Sequence, residues 1–374
     1  MPRLSKADAI GKEIKDMKKI KIAQQVLDPS GAGGVSSEFR ALKNSNLKEK
    51  YDFVPVVLVH FSSGINIHDI LFYYRKIKYI KPDIVHIRGA AVDGLNAVLG
   101  AKLAGKGKIL VTVHGMYSDL VYIHPVKKWI SKNIIERLIY RLADGISCVC
   151  KNAMEREYFN PYRSKMLPFV YNRIPRYDSS IKLVYRSEIR RRYNIPNNWI
   201  VALYIGRMTR EKGLDVLIES FEKVQNMCPQ NLIMLFVGDG DYIEQTKAFL
   251  KNKTVPSIFV GNQVDVEKFY DAGDFFIQPS LHENHSVSLL EACAAGLPSI
   301  ASDCGGNTEI IDEEIGIIVR TGNSDDLGEA ILKMCNEDIR NNYINKLKNR
   351  KFEKFSDECV DASLDLVYQN LVGG

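Results

Sequence analysis

The sequence predicts an α/β protein of two doubly wound domains, each organised around a mostly parallel sheet. Strand-like apolar runs alternate with helical patterns, the alternation breaks once near the middle, and 374 residues are enough for two cores. With 45% apolar and 26% charged residues, the composition is typical of a globular protein. We expect no membrane span, since no apolar run approaches the roughly 20 residues that one requires.

Residues 17–175 are predicted to form the first domain, after an N-terminal appendage over residues 1–16. Strand patterns occupy residues 20–26, 53–59, 84–87, 109–113 and 145–149, and helical patterns occupy 36–42, 69–80, 92–104 and 126–143. Because parallel strands need crossover connections, this order favours one parallel sheet with helices on its faces.

Two features of the first domain suggest ligand contact. Gly33 and Gly34 lie in a glycine-rich loop between the first strand and its helix, where the backbone can approach a ligand closely. The spacing matches no dinucleotide or P-loop fingerprint, so it does not identify a nucleotide. His114 follows the strand at 109–113, and such strand ends bind ligands, although a lone histidine is more often structural.

Residues 169–198 interrupt the alternation with prolines and charge, and we predict an interdomain linker with a short helix. The second domain, residues 176–355, has strand patterns at 200–205, 232–237, 257–260, 275–277, 299–301 and 316–319. Its helical patterns cover 214–225 and two stretches within 324–350. A last helical pattern, 357–371, lies in a C-terminal segment of residues 356–374.

The first strand of the second domain leads into a candidate phosphate site. Gly206 and Arg207 follow the strand, and Lys212 comes five residues later at the start of a helix. Two cations beside the positive end of a helix suit a diphosphate, whereas a basic surface loop is the commoner reason for such charges.

Residues 274–306 carry the clearest candidate site, as a strand, a loop with Glu283, a helix with Glu291 and a second strand. At roughly 100° per residue, eight residues of helix place the glutamates about 80° apart, so we expect them to grip different parts of one elongated ligand. Solvated side chains are the default for isolated glutamates. The amides at the helix start, around residues 285–288, favour an anion or a ring of hydroxyls. The candidate ligand-binding residues here are Asn284, His285, Ser286 and Val287.

No metal site is expected. Asp239 and Asp241 form a D-x-D pair, but they fall in a glycine turn after a strand, and no second acidic cluster accompanies them. The seven cysteines show no C-x-x-C spacing, which favours reduced thiols in a cytoplasmic protein.

The net charge of +6 is unevenly distributed, with +13 on residues 1–170 and −7 on residues 171–374. This asymmetry suggests that the first domain meets a nucleic acid, an anionic membrane surface or an anionic acceptor. Nucleic acid is disfavoured, because no zinc-finger spacing, RNP pattern or dense arginine run is present in that half. Residues 75–78 and 127–130 mix cations with apolar side chains as membrane-surface segments do, and a solvated helix face is an equal alternative.

One segment resembles the donor site of retaining glycosyltransferases of family 4, which have the GT-B fold. It consists of Glu283, seven intervening residues, Glu291, a stretch of small residues and a strand. The resemblance extends to the segments 206–213 and 112–115, whereas residues 284–286 replace the usual Gly-Phe-Gly. It implies two Rossmann-like domains that face each other across a cleft. It also implies that the last helix returns to the first domain.

For the site, the resemblance implies a nucleotide diphosphate sugar as donor, with neither a cofactor nor a metal. Arg207 and Lys212 would grip the diphosphate, Glu283 the transferred sugar and Glu291 the ribose. His114 would face the sugar, and the paired glycines of the first loop would lie near the donor phosphates and the acceptor.

We therefore predict a retaining glycosyltransferase that moves a sugar to a saccharide or lipid-linked acceptor in bacterial surface polysaccharide synthesis. It would act in the cytoplasm, with the inner face of the plasma membrane as a candidate docking surface. Two alternatives stay open, a nucleotide-sugar 2-epimerase of the same fold and a non-catalytic partner subunit. Both are disfavoured by the four charged residues retained in the donor site.

Overall fold

The computed structural model describes residues 19–26, 34–58, 64–224, 226–251, 253 and 255–373. The predicted appendage over residues 1–16 and the glycine at position 33 lie outside these ranges. Within them, the chain forms two parallel sheets with helices packed on their faces, as predicted.

The first sheet has five strands in the order β2-β1-β3-β4-β5, and all neighbouring pairs are parallel. The strands are β1 Ile20–Val26, β2 Tyr51–Val57, β3 Ile84–Arg88, β4 Lys108–Val113 and β5 Gly145–Cys148. The helices are α1 Gly34–Asn44, α2 Ile67–Ile80, α3 Val92–Ala104, α4 Pro125–Ile130, α5 Glu136–Leu142 and the short α6 Lys151–Met154. Strands β3 to β5 are almost wholly buried, which explains their continuous apolar runs.

The predicted helix over 126–143 is divided into α4 and α5 by a π-helical turn, Ser131–Ile135. The hydroxyl of Ser131 donates to the carboxylate of Glu136 at 3.0 Å, and the backbone and hydroxyl of Ser118 donate to it at 2.9 and 2.7 Å. Glu136 is fully buried, so these bonds compensate its desolvation. The wide turn thereby ties the loop after β4 to the helix.

The second sheet has six strands in the order β11-β10-β9-β6-β7-β8, again all parallel. The strands are β6 Ile200–Ile205, β7 Leu232–Val237, β8 Ser257–Phe259, β9 Phe275–Gln278, β10 Ser299–Ser302 and β11 Gly316–Val319. The helices are α7 Lys182–Arg192, α8 Leu214–Val224, α9 Ile243–Leu250, α10 Glu267–Ala272, α11 Val287–Ala294, α12 Asn307–Ile310, α13 Ser324–Cys335 and α14 Glu337–Asn349. The linker helix α7 is anchored here, because Arg186 and Arg190 each donate to Asp274 at 2.7 Å.

The last helix, α15 Asp357–Gly373, returns to the first domain. Its buried side chains join a cluster with Ile22, Phe39 and Leu110 of that domain, and they are Val360, Leu364, Val367, Tyr368 and Leu371. Each buried side chain of this size contributes about 1.5–3 kcal/mol relative to an exposed one. The predicted crossing of the terminal helix is confirmed, and α15 is part of the first core.

Candidate active site

A cleft runs between the carboxyl ends of the two sheets and consists of three adjoining recesses. The outer recess is a cavity of ≈ 360 Å³ that Glu291 lines together with Lys268 and Tyr185. The middle recess shares Glu291 with it and continues to Glu38. The inner recess begins at Glu38 and Asn172 and ends at Arg88, Thr112 and His114. Residues from both domains therefore line one continuous path.

The turn before α8 brings Lys212 against Glu283. Gly213 has a φ of +72°, and a Cβ there would lie 1.8 Å from the carbonyl oxygen of Pro279, so only glycine lets the two loops touch. Lys212 Nζ donates to Glu283 Oε1, and Gln278 Nε2 and Ser280 Oγ donate to the same oxygen at 2.9 and 3.2 Å. Three donors therefore hold this carboxylate oxygen in place.

Arg207 differs from Lys212 in having no anionic partner. Its side chain is exposed, and no carboxylate in the described part of the chain pairs with it. Its carbonyl oxygen accepts a hydrogen bond from the Tyr204 hydroxyl at 2.8 Å, which fixes the backbone of the turn. Asp239 accepts from the amide of Gly240 at 2.7 Å, so its carboxylate serves a tight turn beside this loop.

Helix α11 begins at Val287, so Glu283 lies before the helix, and our argument from helical rotation does not relate the two glutamates. Ser286 caps the helix by accepting from the amide of Leu289 at 3.3 Å. Glu291 is mostly buried, and it accepts a hydrogen bond from the Tyr270 hydroxyl at 2.8 Å. Burial raises its pKa, and the bond from Tyr270 opposes that shift.

The side chains of Asn284 and His285 pack between the domains, and their carbonyl oxygens accept hydrogen bonds from the amide of Gly306 and the side chain of Asn172. Asn284 donates to the carbonyl oxygen of His114 at 2.9 Å and accepts from Arg156 at 2.6 Å. The imidazole of His285 stacks on Tyr171 with ring centroids 5.0 Å apart. Burial, with a smaller effect from Lys354, lowers the pKa of His285 to about 3, so the ring is neutral.

His114 lies on the first-domain wall of the cleft. Its Nε2 is 3.4 Å from Nη1 of Arg88, and because a guanidinium can only donate, Nε2 is the acceptor and Nδ1 carries the proton. Burial, followed by the charge of Arg88, lowers the pKa of His114 to about 3. The ring is therefore a neutral hydrogen-bonding group. Gly34 is placed in the same domain as the first residue of α1.

The structure thus brings Lys212 and Glu283 into contact and joins their loop to His114 through Asn284. Arg207 and Glu291 lie on the same domain without touching that pair. The sequence did not point to several side chains that shape the site, namely Arg88, Tyr270, Gln278 and Ser280. Only Gln278 had a signal, because it is a polar residue that directly follows an apolar strand.

Family models match both domains. Residues 185–351 match the model described as Glycosyl transferases group 1, and residues 39–162 match the one described as Glycosyltransferase Family 4. The chain belongs to this glycosyltransferase family. The predicted family and enzyme class are therefore confirmed.

Relatives of this glycosyltransferase occur in archaea and bacteria. The uncharacterized glycosyltransferase MJ1607 of Methanocaldococcus jannaschii is 30% identical over 54% of this chain, which spans about half (53%) of that protein. The UDP-Gal:alpha-D-GlcNAc-diphosphoundecaprenol alpha-1,3-galactosyltransferase of Escherichia coli is 24% identical over 84% of each chain. The structure of Anabaena Alr3699/HepE with UDP-glucose matches with a TM-score of 0.71 at 16% identity, covering 95% of this chain and 100% of that one. This structural match confirms the two-domain fold.

Proposed function

We propose that this glycosyltransferase takes a sugar from a uridine diphosphate sugar and transfers it with retention to an acceptor held by the first domain. The contact of Lys212 with Glu283, opposite His114 in the cleft, carries the proposal, because it places a phosphate-binding cation and a sugar-orienting carboxylate together. UDP is supported by the names of the Escherichia coli and Anabaena proteins.

The nucleoside would occupy the cavity of ≈ 360 Å³ on the second domain. Glu291 lines this cavity, and its carboxylate can accept hydrogen bonds from both ribose hydroxyls while Tyr270 supports it from behind. The base would then lie toward the loop that carries Asp265 and Lys268.

The diphosphate would lie between Arg207, Lys212 and the start of α11. Negative charge builds on the leaving group as the glycosidic bond breaks, and fixed cations lower the energy of that state. Arg207 has no anionic partner among the residues that the structure describes, whereas Lys212 already pairs with Glu283 and would be shared between the carboxylate and a phosphate. We propose that these cations suffice and that no metal is required.

Glu283 would orient the hydroxyls of the transferred sugar. Its Oε1 already receives three hydrogen bonds, which favours a positioning role over nucleophilic attack. In the transfer, the bond from the anomeric carbon to the phosphate oxygen breaks and a bond to the acceptor oxygen forms on the same face. The acceptor proton passes to the departing phosphate, and neutral His114 donates a hydrogen bond from Nδ1 to the sugar.

The acceptor would be a saccharide or a lipid-linked saccharide of bacterial surface polysaccharide synthesis. The Escherichia coli relative, whose name includes a diphosphoundecaprenol acceptor, supports this class. A cytoplasmic enzyme docked on the inner membrane face would meet such an acceptor. No helix in the described ranges is long and apolar enough to cross a bilayer.

The segment from α4 through the π turn is the candidate membrane contact. Its exposed apolar side chains alternate with cations, which is the composition of helices that lie on anionic membranes. These side chains are Val126, Trp129, Ile130 and Ile134, with the exposed cations Lys127 and Lys132. In contrast, Ile77 of the other basic segment is fully buried, so Arg75, Lys76 and Lys78 form a solvated face of α2.

Binding to vesicles tests the membrane contact. The protein should sediment with phosphatidylglycerol vesicles and be released as salt rises, because exposed charges are screened over about 10 Å at 0.1 M. A Trp129→Ser, Lys127→Gln variant should lose this binding, whereas the matched Arg75→Gln, Lys76→Gln variant should keep it. Equal loss in both variants, or equal binding to neutral vesicles, would contradict the assignment.

Transfer itself is tested with a panel of UDP-sugars, with and without membrane lipid extracts as acceptor and with EDTA. The proposal expects transfer that needs an acceptor, persists in EDTA and keeps the anomeric configuration. Epimerised UDP-sugar formed from donor alone would favour the epimerase alternative. An absence of turnover that a partner subunit restores without any need for Glu283 would favour the non-catalytic alternative.

A further inference from the structure

Arg88, the last residue of β3, carries a charge without an anionic partner among the residues that the structure describes. Its Nε donates to Gln24 Oε1 at 3.3 Å, and its Nη1 lies 3.4 Å from His114 Nε2, so both neighbours are neutral. No carboxylate in the described ranges forms an ion pair with it. An arginine cannot release its proton, so this partly buried charge has to be compensated by other means.

The carboxylate that shares the inner recess with Arg88 is already committed. Glu38 lies 3.1 Å from Nε of Arg173, whose guanidinium also contacts Asp361 at 2.6 Å and Asp357 at 3.4 Å. Arg173 thus contacts three carboxylates, whereas Arg88 contacts none within the described ranges. The Arg88 end of the recess therefore carries a positive charge that no described side chain neutralises.

Hydrogen bonds among neighbouring side chains of β1, β3 and α15 fix the position of the Arg88 side chain. Gln24 donates through Nε2 to the hydroxyl of Tyr368 at 3.0 Å, so its oxygen faces Arg88. His86 lies 2.9 Å from the same hydroxyl and 2.7 Å from Thr112 Oγ1. A chain of neutral groups therefore holds the guanidinium in place without neutralising it, which is how preorganised anion sites are built.

We propose that Arg88 binds an anionic group of the acceptor, a phosphate or a carboxylate, next to the hydroxyl that receives the sugar. The guanidinium has the planar pair of donors that oxyanions bind in a bidentate manner. We place His114 beside the transferred sugar, and its ring adjoins the Arg88 guanidinium. An anion bound to Arg88 would therefore lie close to the reacting centre. This inference rests on the proposed function and narrows its acceptor to molecules that carry a charge near the attacking hydroxyl.

Binding of small anions to the UDP-saturated protein tests the site, because UDP blocks the diphosphate site. The probes are phenyl phosphate, benzoate and neutral benzyl alcohol, measured by titration while the imidazole Cε1–H resonance of His114 is followed. We expect saturable binding of at least one anion, a shift of the His114 resonance and no effect of the alcohol. The tighter anion identifies the class of acceptor group.

Three variants make the test specific. Arg88→Gln should weaken anion binding at least tenfold, Arg88→Lys should weaken it less, and the matched surface change Arg75→Gln should leave it unchanged. UDP affinity should stay within about twofold in all three, since the donor site is on the other domain. Unaltered melting temperatures would establish that Arg88→Gln still folds.

The outcomes separate the two proposals. Anion binding that survives Arg88→Gln, or an absence of any anion binding beside UDP, overturns the Arg88 assignment. If UDP itself does not bind while Arg88-dependent anion binding persists, the donor assignment fails and the anion site stands.

Discussion

The two walls of the cleft handle charge in opposite ways. On the donor wall, Lys212 and Glu283 neutralise each other, and Gln278 and Ser280 donate further hydrogen bonds to the same carboxylate oxygen. On the acceptor wall, the described neighbours of the Arg88 guanidinium are the neutral Gln24 and His114. The Lys212–Glu283 pair is thus electrostatically satisfied without a ligand, whereas no described residue neutralises Arg88.

The difference shows what each wall can contribute to a reaction. The donor wall already holds the cation and carboxylate in place, so its groups can stabilise charge that develops during bond cleavage without first reorganising. On the acceptor wall, Arg88 would be stabilised most by a ligand that carries a negative charge before the reaction begins. This wall is therefore suited to selecting a ligand, whereas the donor wall is suited to the transition state.

The largest effect should come from Glu283→Ala, which removes the Lys212–Glu283 ion pair. Turnover should fall roughly 10²- to 10³-fold, because Lys212 loses its partner and the sugar loses its orienting carboxylate. UDP affinity should change little, since the interaction is felt mainly in the transition state. Titration with UDP beside turnover with the full donor measures both. A loss of UDP affinity as large as that of Glu291→Ala would show that Glu283 does not face the sugar.

Arg207→Ala and Lys212→Ala test whether the two cations grip the diphosphate. Each charge-assisted hydrogen bond is worth about 1.5–3 kcal/mol, so UDP affinity should fall by roughly 10- to 150-fold in each variant. Uridine, which lacks phosphates, should bind both variants as well as it binds the parent protein. Calorimetric titration with UDP and with uridine gives the comparison, and unchanged UDP affinity in both variants would remove the diphosphate from this position.

Glu291→Ala should have a smaller effect of a different kind. Removing the carboxylate takes away ribose hydrogen bonds worth about 1–2 kcal/mol in total, so uridine, UDP and the full donor should all weaken by roughly the same factor. The rate constant at saturating donor should stay close to normal, because ground state and transition state lose the same interaction. A steep fall in that rate constant with unchanged uridine binding would place Glu291 at the sugar instead.

Asp271→Asn sharpens the contrast with Arg88, because Asp271 is also an ionisable group without a partner among the described residues. It is fully buried in α10, and neither carboxylate oxygen has a hydrogen-bond partner in the described residues. Burial raises the pKa of Asp271 to about 7, so this carboxyl group becomes uncharged by keeping its proton below that pH. An arginine, in contrast, cannot become neutral.

The sign of the pH effect follows from that pKa. The unfolded carboxyl has a pKa of about 3.9, so the stability that comes with the proton is complete below about pH 4 and is lost as pH rises through about 7. The stability advantage of Asp271→Asn should therefore grow between these values and level off above pH 7 at a value on the order of 4 kcal/mol, since each of the roughly three pKa units contributes about 1.4 kcal/mol. Denaturant unfolding at pH 4, 6 and 8 measures it, and an advantage that is constant with pH would mean that Asp271 does not titrate.

Local patterns were enough to predict the strands and most helices, because apolar periodicity is written into each segment. The resemblance then supplied Lys212 and Glu283, which the structure does bring together. The π turn was missed, since it depends on Glu136 receiving bonds from Ser118, a residue outside its helix. Arg88 was missed because its side-chain contacts also come from other segments of the chain.

The contacts that define the Arg88 site join distant parts of the chain. Gln24 of β1 meets Tyr368 of α15 across 344 residues, and Tyr270 meets Glu291 from a neighbouring helix. No periodicity within a segment encodes such pairs. The rotation argument for the two glutamates was wrong because it assumed a helix where the chain is still a loop.

The return of α15 to the first domain also has a consequence for the order of events on the ribosome. Strands β1 to β5 emerge first, but the apolar surface around Phe39 and Leu110 stays uncovered until Val367 and its neighbours have been made. The entire second domain is translated in between, which at 5–20 residues per second takes on the order of tens of seconds. The domain that is synthesised first is thus the last to be completed, and it has to avoid aggregation during that interval.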